Sequence, residues 1–269
     1  MTGRSARAGT TARAEWTKLR TVPSTGWLLL AVTVVTVAAG ALAMAGVDTS
    51  RCPAPTECFE DTTRVSLWGI RMAQIAVVVL AVLAVTNEYG TGLIQITLAA
   101  RPRREVVLAA KAAVLTVVVL VAAVPGVLGS LLVGRIVLPG HGFTPANGYP
   151  PLSLADEPTL RAATGSVLYL GLVALLALGI GTAVRDTAAA MVMVFALLYS
   201  FPVITQLVTD PRWQERLGKV APMTSGLAVQ ATTALERQPI GPWAGLGVLA
   251  IWAAGALLVG GLLFRFRDA

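Results

Sequence analysis

The stretch Val77–Lys111, "VVVLAVLAVTNEYGTGLIQITLAARPRREVVLAAK", decides the fold. Val77 to Val85 is wholly apolar, and a second, nearly apolar run follows from Ala112 to Leu132. Between them stand a glutamate, a tyrosine, two glycines and an Arg-Pro-Arg-Arg cluster. Apolar runs of this length cross a hydrocarbon core as helices, for which ~20 residues suffice. The stretch therefore reads as two membrane spans and the connection that turns the chain between them.

The rest of the chain agrees. Of 269 residues, 55% are hydrophobic and 13% charged, and the mean hydropathy is +0.73. A soluble domain carries about 25% charged residues. Six runs are long enough to span: Trp27–Val47, Val65–Thr86, Ala112–Leu138, Ala162–Val184, Thr187–Val208 and Trp243–Phe264. They lack the alternation of barrel strands, and lipid offers the backbone no partners, so helices are expected throughout. The predicted fold is an all-α integral membrane protein forming one permease-like domain over residues 1–269. The first run could also be a signal peptide, with Arg4–Arg20 as its basic region and Ala41-Leu42-Ala43 as its cleavage site. The apolar run exceeds the ~7–15 residues of such a segment, which favours a span.

The formal charge of +7 and pI of about 10.1 would suggest nucleic acid in a soluble protein. Here the positive-inside rule accounts for them, and no nucleic-acid partner is expected. With the N-terminus inside, residues 1–26, 87–111, 185–186 and 265–269 hold twelve Lys/Arg against five Asp/Glu. The opposite loops, 48–64, 139–161 and 209–242, hold seven against nine. Both termini are therefore expected in the cytoplasm, with the chain in the cell membrane.

Cys52 and Cys58 share the first outer loop, where an oxidising exterior favours a disulfide over two free thiols. With His141 as the single histidine, they cannot build a standard zinc site without carboxylates. No metal or cofactor site is expected. The chain has no GxxxxGK[ST] phosphate loop, no HExxH and no GxSxG elbow, so neither P-loop ATP binding nor those hydrolytic chemistries are expected. All fourteen acids lie in loops or at span ends, whereas ion-coupled transporters commonly place carboxylates near the midplane. Arg71 is the deepest cation, and its simplest reading is snorkelling to the outer interface or pairing with an acid such as Asp61. Energy for any transport would then come from outside the chain.

Two cytoplasmic segments read as contact surfaces. In Ala12–Thr25, Trp16 and Leu19 share a helical face. Glu15 lies in the same segment, Lys18 and Arg20 lie around the flanks, and Pro23 ends the helix; this is the pattern of an in-plane amphipathic helix. In the opening stretch, Leu93 and Ile96 recur with Ala100 at helical spacing, and Glu88, Thr91 and Gln95 form a polar stripe. Pro102 ends that helix, and Arg103 and Arg104 open another that runs through Lys111. Such a helix–break–helix knob suits docking into a groove on a soluble partner, though an ordinary topogenic loop fits the periodicity equally.

At these residues the chain resembles the permease subunits of type-2 ABC exporters. The likeness rests on "AEWTKLRTVPSTGWLLL" (Ala14–Leu30), "NEYGTGLIQITLAARPRREVVLAAK" (Asn87–Lys111) and "GIGTAVRDTAAAMVMVF" (Gly179–Phe195), and on the layout of six spans with a long last outer loop. The resemblance implies a partner ATP-binding cassette ATPase that binds ATP and Mg, and a second permease, identical or related. It also implies that the loop after the second span is the coupling helix. Glu88, Tyr89, Gly90, Thr91, Gly92, Leu93 and Ile96 would then form the contact, flanked by Arg101, Arg103 and Arg104. The segment around Trp16 would be the in-plane connecting helix. The last outer loop would hold short helices that cap the exit or partly re-enter, one carrying Trp213, Leu217 and Val220 and a second over Ser225–Leu235. Gln74, Tyr199, Ser200 and Gln206 are scattered polar groups in the second and fifth spans. The competing classes are an ATP-independent channel and a membrane anchor or immunity protein that recruits a cytosolic partner.

Overall fold

The computed structural model describes residues 16–17, 21–52, 54, 57, 60–90 and 104–266. The described residues are helical with no strand. Six helices are long and apolar enough to cross a membrane, at Pro23–Ala45, Thr62–Tyr89, Glu105–His141, Glu157–Val184, Thr187–Leu207 and Pro242–Phe266. The chain is a multi-pass membrane protein. Each span coincides with one of the six apolar runs, extended by up to about two turns where polar caps carry the helix past the lipid-compatible core.

The elements are α1 (Pro23–Ala45), the short α2 (Thr62–Ser66), α3 (Ile70–Gly90), α4 (Arg104–Val137), α5 (Glu157–Val184), α6 (Thr187–Leu207), two short helices α7 (Pro211–Val220) and α8 (Pro222–Leu227), and α9 (Pro242–Phe266). α5 is the centre of the bundle, packed against α9, α3, α4 and α6, while α1 lies against α4 and α3. The chain alternates between two ends. One, here the Glu88 end, gathers the start of α1, the end of α3, the start of α4, the α5–α6 turn and the end of α9. The other, the Asp61 end, gathers the remaining connections.

Small residues set how closely these helices approach, as expected where lipid removes the hydrophobic drive between them. A Cβ at Gly69 would collide with Thr36 O, and one at Gly179 would lie 2.5 Å from the Ala256 carbonyl carbon. The second contact is reciprocal, since a Cβ at Gly260 would lie 2.5 Å from Gly179 O. The α5–α9 crossing is therefore backbone against backbone. Pro125 sits inside α4 without ending it. Three residues earlier, Ala122 O accepts from Thr33 Oγ1 of α1 at 2.9 Å. The carbonyl whose donor proline removes is that of Val121, four residues before it, so the bond from α1 lies one residue beside that gap.

Between α6 and α9 the chain folds back into the bundle. Val220 O accepts from Trp252 Nε1 at 3.0 Å, and Trp252 lies ten residues into α9, about 15 Å from its start. Met223 Sδ accepts from Gln74 Nε2 of α3 at 3.5 Å. The helix expected around Trp213, Leu217 and Val220 is α7. The second, expected over Ser225–Leu235, is not one helix. α8 ends at Leu227, a 3-10 turn covers Ala228–Gln230, the chain extends, and another 3-10 turn spans Leu235–Arg237. The physical reason is side-chain competition at Asp61. Its carboxylate accepts from the backbone N–H groups of Thr232 and Thr233 and from Thr232 Oγ1, which ties that backbone outside a helix.

Candidate functional site: the polar cluster at the Glu88 end

The last turns of α3 carry Thr86, Glu88 and Tyr89, and the first turns of α4 carry Glu105 and Lys111. These two helices flank the segment 91–103. Glu88 Oε1 and Lys111 Nζ meet at 2.9 Å, with side chains only 7% and 6% exposed. Lys111 Nζ also donates to Ala84 O at 3.0 Å. A buried pair of this kind holds because each charge has been taken out of water together with its partner; removing one alone is costly.

The α5–α6 turn closes on the same point. Arg185 is in the left-handed region, with φ 66°, and its N–H reaches back to Gly181 O at 2.9 Å to end α5. Asp186 then caps α6, accepting from Ala189 N at 2.7 Å. The turn places the Arg185 guanidinium 5.1 Å from the centre of the Tyr89 ring, a cation–π distance. Thr187 Oγ1 donates to Thr86 Oγ1 at 2.8 Å. Arg265 of α9 reaches Glu105 at 3.4 Å, in the open. The end of α3 is thus held on one side by α4 and on the other by the α5–α6 turn.

Of the residues singled out in the sequence, Glu88 is buried at 6% exposure and is engaged with Lys111, within its own chain. Tyr89 is half-buried beneath Arg185. Gly90 ends α3 and Arg104 begins α4. Trp16 is helical and half exposed, and Thr21 Oγ1 donates to Thr17 O at 3.0 Å, one helical turn away. Thr91, Gly92, Leu93, Ile96, Arg101 and Arg103 lie outside the described residues, as do Glu15, Lys18, Leu19 and Arg20. Cys52 is disulfide-bonded; Cys58 also lies outside the described residues. Among the described residues no group of His, Cys, Asp and Glu is placed to hold a metal.

A second polar layer lies deeper. Gln74 of α3 donates to Tyr199 OH of α6 at 2.8 Å and accepts from Tyr169 OH of α5. Tyr199 OH donates to Arg71 O at 3.2 Å. Nearer the Asp61 end, Gln230 Nε2 donates to Ser166 Oγ at 3.0 Å and lies 3.4 Å from Leu67 O. Gln74 and Tyr199 are therefore one network with Tyr169, rather than the scattered groups expected. Of the two simple readings of Arg71, snorkelling or pairing with an acid such as Asp61, the pairing with Asp61 does not occur. Asp61 is saturated by Thr232, Thr233 and the Arg64 N–H at 3.0 Å.

Comparison with models of known protein families and with curated proteins finds no match to this chain. What the fold offers on its own is a membrane bundle whose 91–103 segment springs from two helices locked together at their ends.

The sequence reading missed Lys111 as the partner of Glu88. A signal was present: opposite charges stand just outside two apolar runs, at the two ends of one connection. It also missed Tyr169, whose hydroxyl has no periodic signature inside an apolar span.

Proposed function

We propose that this chain is the membrane-spanning subunit of an ATP-driven exporter in the cell membrane, of the type-2 ABC class. A separate ATP-binding cassette subunit would supply the hydrolysis, with its ATP and Mg, and a second permease would complete the pathway. The observation that carries the reading is the Glu88–Lys111 pair at the root of the 91–103 segment. Helices joined this way at their ends would pass a push from a soluble partner into α3 and α4 together. The Arg185–Tyr89 and Thr187–Thr86 contacts extend the same push to α5 and α6. Support also comes from what the sequence lacks: there is no phosphate loop to power the chain from within.

On this reading Glu88 positions the coupling segment from inside the bundle, and the partner meets the residues beyond Gly90. The test is ATP-dependent uptake into inside-out vesicles that contain the full chain and any ATP-binding cassette ATPase that co-purifies with it. Replacing Arg101 and Arg103 with alanine leaves the bundle folded and lowers ATP-dependent export together with co-purification of the ATPase. Full export and full co-purification by that variant would remove the coupling role, and ATP-independent flux by the chain alone would favour a channel.

A further inference from the structure

Arg71 lies nine residues beyond Thr62, roughly 14 Å along the second span. Its Nε is buried without a hydrogen-bond partner. Among the described residues Arg71 enters no ion pair, and Asp61, the acid named as one that could pair with it, is filled by other donors. The charged side chain acting on it is Arg64, of like sign, alongside the neutral hydroxyls of Tyr169 and Tyr199. Among the described residues the charge that acts on Arg71 is thus one of like sign. Snorkelling serves the exposed part of such a side chain, and a guanidinium within a span also favours an anionic partner.

The surroundings define what that something is. Tyr199 OH donates to Arg71 O, and Gln74 donates to Tyr199 OH, so the turn that carries Arg71 is fixed from a second helix. The guanidinium fork matches a carboxylate or phosphate in two parallel hydrogen bonds. On the same helical face, three residues before and four after, Trp68 is 38% and Ile75 41% exposed. A cation flanked by open apolar side chains suits a molecule with an acidic head and a hydrocarbon tail. We propose that Arg71, with Arg64 beside it and Gln74 and Tyr199 as positioning residues, binds the anionic head group of an amphipathic molecule whose tail lies along Trp68 and Ile75. The ligand is either an acidic phospholipid of the bilayer or a free acidic amphiphile. The head-group chemistry is the same, and the site stands whether or not an ATPase drives the chain.

The test uses the purified full chain in phosphatidylcholine nanodiscs, without nucleotide or partner, and equilibrium binding of radiolabelled dodecyl phosphate. The wild type binds saturably, and dodecyltrimethylammonium does not compete. Arg71→Gln weakens binding by about tenfold or more, the loss expected for charge-assisted hydrogen bonds. Arg71→Lys, which keeps the charge and loses the fork, binds more weakly than wild type and more tightly than Arg71→Gln. In discs containing phosphatidylglycerol, loss of the dodecyl phosphate signal assigns the site to the bilayer lipid, and its persistence assigns it to a free amphiphile. No saturable binding in phosphatidylcholine, competition by the cationic amphiphile, or equal binding by wild type and Arg71→Gln overturns the proposal. Should Arg71→Gln fail to fold, unchanged binding by Arg71→Lys overturns it instead.

Discussion

Replacing Lys111 with methionine tests the root of the 91–103 segment. The substitution keeps most of the side-chain volume and removes the cation. It leaves the Glu88 carboxylate, 7% exposed, without the charge that was buried with it. Breaking a buried pair on one side costs about 3–5 kcal/mol. At ~2–4 °C per kcal/mol for a domain of comparable size, the unfolding midpoint falls by about 10 °C. Neutralising both sides, with Glu88→Gln and Lys111→Met together, removes the stranded charge and returns the midpoint to within about 1 kcal/mol of wild type. The assay is thermal unfolding of the detergent-solubilised full chain, followed by helical circular dichroism. Two results refute the reasoning. One is a single variant that melts with the wild type. The other is a double variant that melts as low as the single one, which would place the effect in lost packing or in the lost bond to Ala84 O.

Other consequences are independent of that pair. Gly179→Val drives side-chain carbons into the α9 backbone and costs about 1–3 kcal/mol or more, whereas Gly247→Ala, with nothing within 4 Å of a new Cβ, stays within about 0.5 kcal/mol; equal melting of the two would show that the crossing is not close-packed. Tyr169→Phe strips Gln74 Oε1 of its donor in a buried site and lowers stability by about 1–3 kcal/mol, an outcome contradicted by an unchanged midpoint. Ala234 holds φ 48° and ψ 43°, a left-handed conformation that costs a non-glycine residue about 1–2 kcal/mol; Ala234→Gly therefore raises the midpoint, and a fall would count against that strain. The hydrogen bond and charge of Lys219 hold the Glu215 carboxyl below its ordinary value. The stabilisation it brings to α7 is present above that ordinary value and is lost as pH falls through the lowered one. A carbon-detected NMR titration of Glu215 shows a midpoint that returns toward the ordinary value in Lys219→Met, and an identical midpoint in both proteins would exclude the contact.

The spans were legible because each needs only a long apolar run, a property of consecutive residues. The same holds for the Arg185–Asp186 turn, where an arginine and an aspartate interrupt two such runs, and for α7, whose Trp213, Leu217 and Val220 recur at helical spacing. What was not legible depends on residues far apart in sequence. Gln74 and Tyr199 are 125 positions apart, and nothing local to either says that α3 and α6 are neighbours. Asp61 read as a free outer-loop acid, available to Arg71, because Thr232 and Thr233 carry no sign that their backbone will turn toward it. Glu88 read as a surface residue for the opposite reason: it sits in a polar stripe, and only the packing of α4 against α3 shows that Lys111 has taken it inside. Polar residues in a membrane chain announce that they need partners, but not which ones.

Only Arg185 and Asp186 separate Val184 from Thr187, and this brevity bears on how the protein is made. The α5 end closed by Arg185 and the α6 start capped by Asp186 leave no slack between the two helices, so once α6 follows α5 out of the insertion machinery it is held to it as a hairpin. The heavily packed α5 is delivered together with an outward-facing companion whose apolar surface is compatible with lipid from the start. The chain's most buried helix is thereby screened during assembly by the one that needs the fewest protein neighbours, and the later arrival of α9 closes the remaining side through Gly179 and Gly260.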